Sequence, residues 1–170
     1  MSSLVNSQTF QTKENSESDR ERFLRFSLNS QIDCLLFLGE LKGVININLS
    51  KILPVPQVEE YWLGIINWRG EAVWILDLAK LLGAKKWYEG AKPPLSAVAI
   101  LTSKGDRHFG MLVKQTNTIE SYNLDRLLPM SSSRIDPEIS PFLRGYFLDD
   151  RKQPLMTIDI ESILECVLKN

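Results

Sequence analysis

Two stretches of the chain carry one plan. Residues 62–82 read WLGIINWRGEAVWILDLAKLL and residues 142–164 read FLRGYFLDDRKQPLMTIDIESIL. Each runs from an apolar segment through a charged turn into a second apolar segment, then reaches an aspartate before a short apolar helix. Aligning them takes two inserted residues. A duplicated strand–turn–strand–helix plan favours a mainly β fold of two similar small barrels over one large sheet.

The helices that close each copy have readable ends. Asp77 precedes Leu78, Leu81 and Leu82, which share one helical face, and Gly83 supplies the stop. Asp159 precedes the stripe Ile160, Ile163, Leu164, Val167 and Leu168. Their shared position predicts that both aspartates are N-caps, accepting bonds from free backbone N–H groups, rather than an acid–base pair.

Strands are predicted upstream of each copy. Phe23–Leu28 alternates with a period of two, placing Leu24, Phe26 and Leu28 on one face. Asn29-Ser30-Gln31 signals a turn and Cys34–Leu38 a returning strand. Val44–Leu49 puts Ile45, Ile47 and Leu49 together, and Pro54 and Pro56 force an extended connection. Strands at about 64–68 and 71–77 flank Arg69-Gly70. After a polar connector at 85–96, Ala97–Thr102 and Phe109–Val113 form a hairpin about Gly105-Asp106. Residues 1–21 are polar and read as a disordered tail. Residues 22–170 then hold a first barrel over about 22–84, with part of the C-terminal segment, and a second over about 96–158.

Charge and composition narrow the chemistry. Twenty basic against twenty-one acidic residues leave no excess positive charge for phosphates, which argues against nucleic acid as a partner. No apolar run approaches the roughly 18 residues that cross a bilayer, and the N-terminus lacks a secretory pattern, so a cytoplasmic location is expected. Cys34 and Cys166 lie in apolar segments and read as reduced, buried side chains. His108 is the single histidine, which makes a metal site or a catalytic triad poorly supplied. No nucleophile motif, phosphate loop or metal-binding helix is found, so neither an enzyme nor a cofactor is expected.

Arg69 interrupts an otherwise apolar region, and two readings compete for it. It is a solvated hairpin tip with Gly70 at positive φ, or a planar guanidinium presented to a partner's carboxylate or carbonyl. Trp68 and Trp74 strengthen the second reading, because Trp and Arg anchor interfaces; for Trp74 a barrel core is preferred. A rival function, a nucleic-acid or small-ligand module, would stack its ligand on Trp62, Trp68, Trp87 and Tyr88.

FLRFSL, the Val-Pro loop, GIINWRGEAVWILDLAKLLG and FLRGYF…PLMTIDIESIL together resemble the CheW family of chemotaxis coupling proteins, over about residues 22–168. The most specific part is Asn67-Trp68-Arg69-Gly70 followed by Asp77-Leu78, where the family usually carries Asn-Leu-Arg-Gly and Asp-Leu. The resemblance implies two SH3-like five-stranded barrels about a pseudo-twofold axis. It implies an adaptor that binds the regulatory domain of a CheA-type histidine kinase and the cytoplasmic helical hairpin of a chemoreceptor. Arg69, with Asn67, Trp68 and Gly70, would belong to the partner-binding surface, and Leu41 to an apolar receptor contact in the groove between the barrels. Two departures stand out: Trp74 replaces the family's usual proline, and Asn46 replaces a glutamate in a Val-x-Glu-Ile stretch. A specialised paralogue serving a phototaxis or pilus-motility receptor is consistent with them.

Overall fold

Short apolar segments rich in β-branched and aromatic residues, cut at intervals by Gly, Asn and Asp, build strands rather than long helices. The computed structural model describes residues 19–85, 87, 88, 92, 94–130 and 137–169. Residues 1–18 of the expected tail lie outside the described residues, and Arg20 and Glu21 already belong to a strand.

In chain order the strands are β1 (Arg20–Ser27), β2 (Asp33–Phe37), β3 (Gly43–Asn48), β4 (Trp62–Trp68) and β5 (Glu71–Asp77), followed by helix α1 (Leu78–Leu81). The second series is β6 (Ser96–Lys104), β7 (Arg107–Val113), β8 (Gln115–Asn123), β9 (Leu143–Leu148) and β10 (Pro154–Ile158), followed by helix α2 (Ile160–Leu168). They form two five-stranded sheets, ordered β8-β1-β2-β10-β9 and β3-β6-β7-β5-β4. The sheets correspond strand for strand. Each contains one parallel pair, β10 with β2 and β5 with β7, among antiparallel neighbours.

The sheets do not follow the linear division into 22–84 and 96–158. The hairpin β1–β2, from the first half, completes the sheet of β8, β9 and β10; the hairpin β6–β7, from the second, completes the sheet of β3, β4 and β5. Local periodicity marks where strands are, but the choice of which hairpin closes which sheet is made by tertiary pairing. Strand β8 has no apolar alternation to mark it in the sequence. Its sequence, QTNTIESYN, is polar and largely exposed, as suits a sheet edge that must not recruit a further strand.

Each sheet curls until one edge strand, β4 or β9, bridges to the segment that follows the other edge strand, β3 or β8. Leu53 and Ile65 exchange backbone bonds of 2.9 Å in one, Leu128 and Tyr146 bonds of 2.9 Å in the other. Glycine is required at both seams. Gly64 (φ 141°) and Gly145 (φ 150°) bring their backbones so close that an added Cβ would lie 2.1 Å from the Leu53 carbonyl oxygen and 2.4 Å from that of Leu128.

Exchange of hairpins places the largest apolar cluster between the sheets. Phe26, Cys34, Leu36, Leu76, Ile100, Met111, Ile158 and Ile163 meet there, drawn from both sheets and from α2. Smaller clusters stay within one sheet each, around Val73, Ile75 and Leu101 in one and Phe23, Leu35 and Phe147 in the other. Neighbouring residues such as Leu35 and Leu36, or Ile75 and Leu76, are therefore buried on opposite faces of one strand. That explains the continuous apolar runs, each large side chain stabilising the fold by about 1.5–3 kcal/mol. Burial pushes the Cys34 thiol up to about 12, whereas Cys166 is only half-buried.

Both predicted caps are present. Asp77 Oδ1 accepts from the Lys80 N–H (3.1 Å), and Asp159 accepts from the Ser162 N–H (3.2 Å) and hydroxyl (3.0 Å). Gly83, at φ 65°, ends α1 as expected.

Candidate functional site

The hairpin β4–β5 owes its tip to register. Trp68 pairs with Glu71 and Asn67 with Ala72, leaving Arg69-Gly70 as a two-residue turn. Both turn residues have positive φ, 52° and 82°, the combination whose twist matches that of the flanking strands. Gly70 was expected there; Arg69 was not. Such a turn favours Asn, Asp or Gly, and a side chain with a Cβ is held there at a cost of about 1 kcal/mol or more. Asn67 braces the tip, its Oδ1 accepting from the Gly70 N–H at 3.0 Å.

Arg69 is exposed, and its guanidinium carbon lies 4.7 Å from the centre of the Trp68 ring. Trp68 in turn packs against the cluster around Val73 and Ile75, so the cation rests on a fixed surface. A cation–π contact at an exposed site stabilises by about 0.5–1 kcal/mol, enough to restrain a long side chain and too little to consume its hydrogen-bonding capacity. Glu71, the nearest carboxylate in sequence, is held by His108 Nε2 at 2.7 Å. Among the described residues Arg69 forms no ion pair. The arrangement presents a flat, pre-oriented donor array suited to a carboxylate. The Glu71–His108 contact escaped sequence reading, since only the parallel register of β5 and β7 brings the two residues together.

Leu41 sits elsewhere. It follows a short turn over Leu38–Glu40 and is partly buried against the cluster between the sheets. Beside it Glu40 bonds Arg144, whose Nε stands 3.8 Å from Asp159. Burial holds the Glu40 carboxyl above the ordinary glutamate value although Arg144 pulls it down. Val44 and Asn46 are exposed on the neighbouring strand β3. The structure thus brings Asn67, Trp68, Arg69 and Gly70 together and leaves Leu41 apart from them. Leu41 shares the cluster between the sheets with Trp62, Trp74 and Leu76 of the hairpin, but among the described residues no bond or ring contact joins it to the tip.

Trp74 is not in a barrel core. Its neighbours Val73 and Ile75 point into the sheet's own cluster, so Trp74 faces the other way, half-buried against the cluster between the sheets and edge-on to Trp62 at 5.5 Å. Nor do Trp62, Trp68, Trp87 and Tyr88 make one stacking surface. Trp62 packs on the cluster between the sheets, while Trp68, Trp87 and Tyr88 pack on the cluster of the second sheet. The Tyr88 hydroxyl is bonded to Asp77. Among the described residues no group of three His, Cys, Asp or Glu side chains could hold a metal ion, and no helix is long and apolar enough to cross a membrane.

The hairpin and the duplicated sheets around it match a known pattern: the family described as CheW-like domain covers residues 22–167. The chain belongs to the CheW-like family. The probable chemotaxis protein CheW of Rhizobium etli is 26% identical over 157 residues, 91% of this chain and 94% of that protein. The crystal structure of the scaffolding protein TtCheW from Thermoanaerobacter tengcongensis aligns with a TM-score of 0.67 at 21% identity, covering 82% of this chain and 88% of that one. The fold of this CheW-like chain is accordingly the expected pair of SH3-like subdomains.

Proposed function

We propose that this CheW-like chain is a non-catalytic, cytoplasmic scaffold of chemotaxis-type signalling, joining a chemoreceptor's helical hairpin to the regulatory domain of a CheA-type histidine kinase. One observation carries the reading: an arginine kept at a positive-φ position, laid on Trp68 and left without an ion pair among the described residues. A turn selected only for stability would place Asn or Gly there. The names of the relatives support the same reading, one a probable chemotaxis protein and one a scaffolding protein. Trp68 and Gly70 set the cation's position, Asn67 holds the turn, and Leu41 offers an apolar contact in the groove between the subdomains.

Co-purification tests it. Tagged wild-type chain should retain the cognate kinase and receptor fragments, and Arg69→Ala, folded by circular dichroism, should lose the partner that supplies the carboxylate. Arg69→Lys should rescue poorly, because an ammonium cannot bond a carboxylate through two parallel N–H groups. Unchanged co-purification of both partners with Arg69→Ala would remove the role assigned to this residue. The rival nucleic-acid reading gains nothing from the structure, since the net charge is −1 and the four candidate rings are divided between two clusters.

A further inference from the structure

One end of the second sheet sets a carboxylate between two donors. Trp68 and Glu71 are paired directly across β4 and β5, so their side chains stand side by side on one face. Val73 shares that face with Glu71, and the parallel register places Val73 opposite His108. Pairing with β6 puts Ser103 beyond His108. The order across this end is therefore Trp68, Glu71, His108 and Ser103, with the Arg69 guanidinium resting on the Trp68 ring at 4.7 Å.

Glu71 thus has a donor on either side and bonds only one of them. It accepts from His108 Nε2 at 2.7 Å, and among the described residues no ion pair joins it to Arg69. Chain proximity does not dictate this outcome, because Arg69 is the closer of the two in sequence. Intrinsic strength does not dictate it either, since a guanidinium offers a carboxylate two parallel N–H groups and an imidazole one. The register of β5 and β7 does, by fixing the ring on a strand next to the hairpin end. Other charges at this corner stay out of the contact. Lys104 and Arg107 alternate onto the face opposite Ser103 and His108. Asp106, in the turn between β6 and β7, has no bond to His108 or Arg69 among the described residues.

We propose that His108 is a positioning residue for the contact surface: by bonding Glu71 it keeps that carboxylate off Arg69, so the guanidinium stays open to a partner's carboxylate. Without the imidazole, Glu71 closes an ion pair with Arg69 inside its own hairpin, and a partner has to displace it. The inference rests on the partner-binding role proposed for Arg69.

The test is a double-mutant cycle on the full chain, read in two ways. Titration of a CheA-type regulatory domain gives the affinity. The Nε–H signal of Arg69 in nitrogen-labelled protein, assigned by its loss in Arg69→Ala, reports on the guanidinium with no partner present. His108→Ala should shift that signal and weaken binding about two- to fivefold, the scale of one exposed ion pair. His108→Gln, which keeps an N–H donor near the place of Nε2, should leave both readings as in the wild type. When Glu71 is already Gln, His108→Ala should change neither. The inference is overturned if His108→Ala leaves the Arg69 signal where it was, or if its loss of binding persists in the Glu71→Gln background. Arg69→Ala binding like the wild type, with the signal still following the cycle, would instead overturn the role of Arg69 and with it the purpose assigned to His108.

Discussion

The two pseudo-equivalent hairpins of this protein end in opposite ways. At the tip of β9–β10, Asp149 spends its side chain on its own loop: one oxygen accepts from the N–H groups of Arg151 and Gln153, each at 2.8 Å. Its backbone does the same, with bonds of 2.9 Å to Gln153 and from Lys152. At the tip of β4–β5 the bracing falls to Asn67, a single bond, and the charged residue is left facing solvent. Both turns hold a cationic residue at positive φ, Lys152 at 59° and Arg69 at 52°, but among the described residues only Arg69 is laid on a ring, that of Trp68, which fixes its guanidinium where a partner can meet it.

The comparison can be broken first at what the two halves share. Gly64→Ala and Gly145→Ala should each destabilise the protein by about 3 kcal/mol or more, since each adds a Cβ against a backbone oxygen at positive φ. Urea unfolding would measure it, and tolerance at either position would mean that the two seams are not equivalent. Where the halves differ, the effects shrink and then reverse. Asp149→Ala, which orphans two loop N–H groups, should cost about 1–2 kcal/mol. Arg69→Gly should instead gain a few tenths of a kcal/mol or more, about 1 at most, by relieving the positive φ. Thermal melts of the two variants should therefore move in opposite directions; a clear fall for Arg69→Gly would show that the arginine is a structural residue.

The smallest effect concerns Glu40. Its folded carboxyl is raised by burial, so its contribution to stability is fully present below the ordinary glutamate range and is lost as pH rises through the folded value. Glu40→Gln should gain on the wild type across that window, and only slightly, because the side chain is partly exposed and Arg144 loses a partner. A constant difference between the two proteins from acid to neutral pH would contradict the assigned shift.

Much of the fold is legible in the chain because apolar periodicity and turn chemistry agree. Leu24 and Phe26 sit on the face their alternation predicts, Asp77 and Asp159 cap their helices, and Gly105-Asp106 turns between paired Lys104 and Arg107. What could not be read is non-local. The polar strand β8 has no apolar stripe because only its pairing with β1 and its edge position define it. The exchange of hairpins between sheets leaves no local trace. Trp74 looks like the core of its own barrel in a run of apolar residues, and only the phase of Val73 and Ile75 shows that its ring lies on the cluster between the sheets. At the candidate site the motif Asn67–Gly70 could be located from sequence, whereas the positive φ of Arg69 and its seat on Trp68 needed coordinates.

The most direct test compares the two tips for binding. Calorimetric titration of a CheA-type regulatory domain into the wild type, Arg69→Ala and Asp149→Ala should show affinity reduced about tenfold or more for Arg69→Ala, the scale of a truncated interface anchor. Asp149→Ala, though less stable, should bind like the wild type. Equal affinity for all three proteins, or an equal loss in both variants, would contradict the claim that one hairpin serves a partner while its twin serves only the fold.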